Sequence, residues 1–164
     1  MPLHPEVTVA ALAERDGRFL IVEESIDGKL VLNQPAGHLE PGETLLEAVA
    51  REAREETAWH FAPEAFLGVY LWRAQSAATF LRFAFSGTVS DHDAAQSLDA
   101  GILRTHWLTR AELAARESRL RTPLVLRCVD DYLSGRRLPL DAIAHLDTTT
   151  AVQSGSWSAS PDRG

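Results

Sequence analysis

The chain has 164 residues, 45% of them hydrophobic and 24% charged, with a formal net charge of −7. That make-up is ordinary for a single globular domain with a proper core, and its longest apolar runs are strand-length, too short to cross a membrane as helices. The acid excess argues against a nucleic-acid polymer as main partner, which needs basic patches to displace counterions.

The start, MPLHPEVTVA, has no basic segment followed by an apolar one, so no signal peptide is expected and the cytoplasm is the default location. The single cysteine, Cys128, excludes an internal disulfide and falls in an apolar helical pattern, as a structural thiol does. Lys29 is the only lysine, so nearly all positive charge is arginine, the side chain suited to bidentate phosphate contacts.

Val7 to Ala13 and Phe19 to Glu23 are β-branched-rich apolar runs joined through Arg15-Asp16-Gly17, which predicts a hairpin. Asp27-Gly28 turns the chain again toward Leu30-Val31-Leu32. That strand should end or change partner before Pro35, which cannot donate to a ladder. Gly37 and Gly42 then bracket Glu40 and Pro41 in a tight loop, with Glu43 and Thr44 at the expected helix start, where acids and a hydroxyl favour free N–H groups.

The helix that follows carries two kinds of residue on two predicted faces. Leu45, Leu46, Val49, Ala50 and Ala53 form a core-facing stripe. Glu52, Glu55 and Glu56, three and four residues apart, converge on a neighbouring patch. Like charges at this spacing each cost a few tenths of a kcal/mol, and a divalent cation resolves the conflict. Carboxylate oxygens suit a hard ion such as Mg²⁺, which leaves positions open for water and substrate phosphates. A solvated glutamate-rich surface is the plain alternative. Glu47, Arg51 and Glu55 follow each other at four-residue intervals, the spacing of supporting ion pairs.

Beyond the helix, Phe66 to Arg73 and Thr79 to Val89 are predicted strands joined by the loop Ala74 to Ala78. Alternation sets Leu81, Phe83 and Phe85 on one face and Phe80, Arg82 and Ala84 on the other. Arg82 then points at a substrate phosphate or lies on the solvated face of an edge strand, and alternation alone does not choose. Ser90 to Gly101 is a polar loop holding Asp91, His92, Asp93 and Asp99, before a strand over Ile102 to Leu108. Thr109 and Glu112 make a capping box for a short helix to about Ala115. Thr122-Pro123 opens a last helix, Pro at its first position, with Leu124, Val125, Cys128, Val129 and Leu133 as its stripe and Gly135 as its end. The domain is expected over 1–147, and 148–164, small and polar, as a poorly ordered tail.

Gly37, Glu43, Arg51-Glu52 and Glu55-Glu56 stand at fixed intervals, and this pattern resembles the signature of the Nudix hydrolase family. NQPAGHLE, FLIVEE, FLRF and TPLV resemble the NudJ-type branch in particular. One position departs: Ala58 stands where the family usually has glycine just past the helix. Alanine there should cost roughly 1 kcal/mol or shift the helix exit.

The resemblance implies an α+β Nudix fold of the α/β/α sandwich type, a mixed sheet packed between helices with a loop-helix-loop metal site. It implies a Mg²⁺-dependent hydrolase, with Mn²⁺ as a substitute, acting on small-molecule nucleoside tri- and diphosphates and thiamine-type pyrophosphates. Glu52, Glu55 and Glu56 would be metal ligands, with the Ala36 carbonyl a further one and any of the three acids the base. Arg51 would hold the glutamates in register and Glu43 would support them beside Gly37. Asn33, Gln34 and His38 flank the glycine loop as candidates for recognising the organic half of the substrate, against a reading of His38 as a loop histidine with only structural hydrogen bonds. Asp99 is where related enzymes place an extra acid, against a reading of simple solvation. Monomer and homodimer stay open, and a catalytically silent Nudix fold that binds a nucleotide or a protein is the rival reading.

Overall fold

In this computed structural model residues 3–147 are described; the tail expected over 148–164 lies outside the described residues. The chain opens with strands β1 (Glu6–Arg15), β2 (Arg18–Ile26) and β3 (Lys29–Asn33). Both tight turns between them use Asp-Gly at positive φ, with Asp16 at 52°, Gly17 at 75°, Asp27 at 49° and Gly28 at 76°. These two-residue turns match the right-handed twist of the strands they join.

β1 and β2 pair only next to their turn, at Glu14↔Phe19 and Arg15↔Arg18. They then part. β2 runs between β3 and β7 (Ile102–Thr109), both antiparallel to it. β1 is flanked by β4 (Ala36–His38) and by β6 (Thr79–Ser90), with β6 parallel to β1 in the register Thr8↔Arg82 and antiparallel to β5 (His60–Arg73). The result is one mixed seven-stranded sheet.

The inner strand is covered on both faces, so β1 is nearly continuously apolar and not alternating. Val9, Ala11 and Ala13 pack with Leu45, Ala48, Val49 and Ala53 of helix α1 (Leu45–Thr57). Ala10 and Leu12 pack on the opposite side with Leu124, Val125, Cys128 and Val129 of helix α3 (Leu124–Leu133). A helix on each side of a mixed sheet is the α/β/α sandwich that the resemblance implied. Short helix α2 (Arg110–Ala114) is capped by Thr109 and Glu112 as expected.

Several local expectations change. Gly37 lies inside strand β4, paired with Val9, and not in a loop. The chain does change partner at Pro35, from β2 to β1. The buried residues of α1 are Leu45, Ala48, Val49, Glu52, Ala53, Glu56 and Thr57, so two of the acids share the core-facing side and do not occupy a separate face. β5 starts six residues earlier than Phe66, because bulges around Pro63/Ala65 and Phe66/Gly68 carry the chain past the proline without ending the strand. Leu133 is 57% exposed and leaves the α3 stripe. Pro123 is the residue before α3 and not its first. Ala58 keeps the left-handed conformation at φ 59°, so α1 exits where a glycine would have let it.

Candidate active site

The site is assembled where α1 leans on β4. Thr44 accepts a hydrogen bond from the Glu47 N–H while Glu47 reaches back to the Thr44 N–H, which locks the first turn. Arg51 then acts as a hub. Its guanidinium donates to Glu43 (Nη2–Oε1 2.7 Å and Nε–Oε2 2.9 Å), to Glu52 (2.8 Å), to Glu55 (3.0 Å) and to the His38 carbonyl (3.0 Å). Those hydrogen bonds from Arg51 hold the Glu43 carboxyl below the usual range, and the carboxylates in turn raise the Arg51 pKa.

Glu52 reaches over β4, and Gly37 is what leaves room. A Cβ at Gly37 would stand 2.1 Å from the Glu52 Cδ, so any side chain there would push the carboxyl away. One carboxylate oxygen each from Glu52, Glu55 and Asp99 lies within 4.8 Å of the others. Asp99 arrives on the long loop, which closes over the C-terminal end of α1. The N–H groups of Asp99 and Asp93 bond the carbonyls of Glu55 and Ala58 at 3.0 Å, and the Gln96 amide bonds that of Arg54 at 2.6 Å. The loop thereby satisfies carbonyls that a helix end leaves free.

Glu56 is not in that oxygen cluster. It turns instead to the Ala36 N–H at 3.0 Å, and burial pushes its carboxyl up to about 8, despite that hydrogen bond. Burial also raises Glu52, against the pull of Arg51. The reading of an exposed glutamate surface is therefore overturned for these two, which are 9% and 7% exposed.

A cavity of about 360 Å³ opens beside the acids, lined by Glu52, Glu56, Ala36, Gly37, His38 and Asn33, and on its far side by Trp72, Phe80, Arg82 and Arg121. A second of about 230 Å³ shares Glu56 and Arg121 with it and adds Glu24 and Asp99. Arg82 is not on a solvated edge: β6 lies between β1 and β5, and the residue is 6% exposed. Its Nη1 reaches the Gln34 Oε1 at 3.5 Å, and its buried Nε has no partner among the described residues. Gln34, a candidate for recognising the organic half of the substrate, lies behind the cavity wall. It is 1% exposed and does not line the cavity, and it spends its amide on the Val125 carbonyl (2.8 Å) and on Arg82. His38 lines the cavity mouth, paired with Glu6 at 2.6 Å.

Thr8, Trp72, Phe80, Arg121 and Thr122 also line the cavity, and sequence reasoning missed them. Phe80 was within reach, since alternation puts it on the face of Arg82. Thr8 was not, because only the parallel β1–β6 register brings it opposite Arg82.

A sandwich with an acid-rich helix, an arginine hub and carboxylate oxygens close enough to share a cation is an arrangement that hydrolysis assisted by a metal ion can use. The NUDIX domain family matches residues 2–127, and the chain belongs to that family. It is a Nudix hydrolase, of the class that cleaves pyrophosphate bonds. Phosphatase NudJ of Shigella boydii serotype 4 and that of Escherichia coli K12 are each 43% identical over 139 residues, covering 85% of this chain and 90% of the relative. A solved NUDIX hydrolase from Nitrosomonas europaea superposes with a TM-score of 0.85 at 47% identity, over 87% of this chain and 98% of that one. A MutT protein from Methanosarcina mazei Go1, 22% identical with a TM-score of 0.65 over 84% of this chain and 99% of its own, shares the fold.

Proposed function

We propose that the chain is a Mg²⁺-dependent hydrolase, with Mn²⁺ able to substitute, that removes phosphate from nucleoside tri- and diphosphates and from thiamine-type pyrophosphates in the cytoplasm. The observation that carries this reading is the set of Glu52, Glu55 and Asp99 oxygens beside a cavity walled by a buried arginine. An all-carboxylate oxygen set fits a hard divalent ion. The relatives at 43% identity are named as phosphatases, which supports the same direction.

Glu52, Glu55 and Asp99 would hold the ion, with Glu56 and the Ala36 carbonyl next to them. When bound, the ion supplies neutralisation of phosphate charge and a more acidic water. Arg82 and Arg121 take the substrate's phosphates. A buried guanidinium with an idle Nε lacks an anion, and a phosphate oxygen provides one. Arg51 and Glu43 fix the carboxylates so that little reorganisation is left for the reaction. Glu56, whose buried carboxyl is raised to about 8, can hold a proton near neutrality at the edge of the cavity. Asn33 and His38 face the organic half of the substrate.

The test is a phosphate-release assay over thiamine pyrophosphate, its pyrimidine precursor and the common nucleoside di- and triphosphates, with Mg²⁺, with Mn²⁺ and after chelation. Turnover should need the metal and should fall by orders of magnitude in Glu52→Gln with melting near wild type. Full activity after chelation, or in that variant, would sink the reading.

A further inference from the structure

Two residues on the far wall of the larger cavity, Trp72 and Phe80, have no part in the chemistry described so far. Trp72 of β5 and Phe80 of β6 are cross-strand partners, their rings 5.4 Å apart and tilted by 25°. Both line the cavity together with Arg82, Asn33 and Thr8. A stacked pair on a twisted sheet needs no ligand to explain it, since cross-strand aromatics stabilise sheets by themselves. What a purely structural role leaves unexplained is the polar company. Among the described residues the buried Asn33 Oδ1, Thr8 Oγ1 and Arg82 Nε have no hydrogen-bond partner, and the three residues are 2%, 7% and 6% exposed. Each idle buried polar group is costly to the fold unless something meets it.

An inorganic or purely aliphatic pyrophosphate would answer only the arginine. A flat ring with a hydrogen-bonding edge answers the rest, because its face suits the aromatic wall and its edge suits an amide and a hydroxyl. The volume of about 360 Å³ lies in the small-molecule range, room for one ring-bearing ligand. We propose that Trp72 and Phe80 form a ring subsite that holds a planar heteroaromatic group attached to the pyrophosphate, with Asn33 and Thr8 reading its polar edge. This rests on the hydrolase reading above and deepens it: substrate choice is set by the wall opposite the acids, so that phosphates lie between the carboxylates and the aromatic pair.

The experiment compares two Mg²⁺-loaded reactions, adenosine diphosphate and butyl pyrophosphate, in wild type, Trp72→Leu, Phe80→Leu and Trp72→Phe. Loss of stacking should raise KM for adenosine diphosphate roughly tenfold or more, with kcat little changed. KM for butyl pyrophosphate should stay within about twofold, and Trp72→Phe should restore most of the difference. A merely structural role would weaken both substrates together, and a parallel fall overturns the proposal, as does no change in either. Binding of the uncleavable α,β-methylene adenosine diphosphate, read by tryptophan fluorescence, should quench in wild type and lose that quench in Trp72→Phe. Should wild type hydrolyse neither substrate while this quench persists, the hydrolase reading fails and the ring subsite stands. A quench unaltered by Trp72→Phe overturns the subsite whatever the turnover.

Discussion

Glu56 is a carboxyl in a largely apolar stripe of α1, raised to about 8 by burial, and Glu52 beside it is raised for the same reason. In the metal-free protein the folded state then keeps a proton that the unfolded chain releases near its ordinary 4.5. Stability from this source is complete below that value and drains away as pH climbs toward about 8. Burial raises Glu52 in the same direction, so both acids contribute to the slope. Glu43 works in the opposite sense, because Arg51 lowers its pKa, and its contribution is lost only at acid pH. The chelated protein should therefore lose melting temperature between pH 5 and pH 8, and Glu56→Gln should flatten that slope. A wild-type melting curve independent of pH across this window would contradict the assignment. At Gly37 the constraint is steric. Gly37→Ala puts a methyl 2.1 Å from the Glu52 carboxyl carbon, so metal-dependent turnover should drop at least tenfold while circular dichroism keeps its wild-type shape. Wild-type activity in that variant would show that Glu52 can stand elsewhere.

Helix α1 shows how an element trades its own stability for geometry. Its N-terminus is secured by the Thr44–Glu47 box, and its C-terminus by the loop that donates to the Glu55 and Ala58 carbonyls. Ala58 is the weak point, holding φ 59° without the freedom of glycine. The loop contacts explain why the exit does not shift: moving it would break the bond from Asp93 to Ala58 and displace Asp99 along with it. Ala58→Gly relieves a strain of about 1 kcal/mol, less some entropy gained by the unfolded chain. The melting temperature should rise by about 2 °C or more with kcat unchanged. A lower melting temperature would mean that the left-handed turn costs nothing here.

At the scale of the molecule the site is a meeting of segments far apart in the chain. Glu52 and Glu55 come from one helix, Asp99 from a loop more than forty residues on, and the cavity wall from β5, β6 and the turn before α3. Asp99→Asn should weaken Mn²⁺ binding about tenfold, measured by calorimetry on the protein without substrate, and should shrink the rise in melting temperature that added Mg²⁺ produces by mass action. Because the backbone N–H of Asp99, and not its carboxylate, bonds the Glu55 carbonyl, the fold should survive the change. Unchanged metal affinity would remove Asp99 from the site.

Local signals carried the parts of this protein whose physics is local. Asp-Gly turns, the capping box at Thr109, the breaker at Pro35 and the spacing of Arg51, Glu52, Glu55 and Glu56 depend on neighbours within a few residues, and the chain states them outright. The parts that went unread depend on partners the chain meets only after folding. Glu52 and Glu56 share the buried stripe because α1 packs against both β1 and β4. The withdrawal of Gln34 to brace Arg82 needs Val125, ninety-one residues away, to accept its amide. Thr8 faces Arg82 only through a parallel pairing, which no turn announces. Residue spacing thus determined which chemistry the helix could support, while strand pairing alone decided which side chains would surround it, because contact between distant segments is settled by packing and not by periodicity.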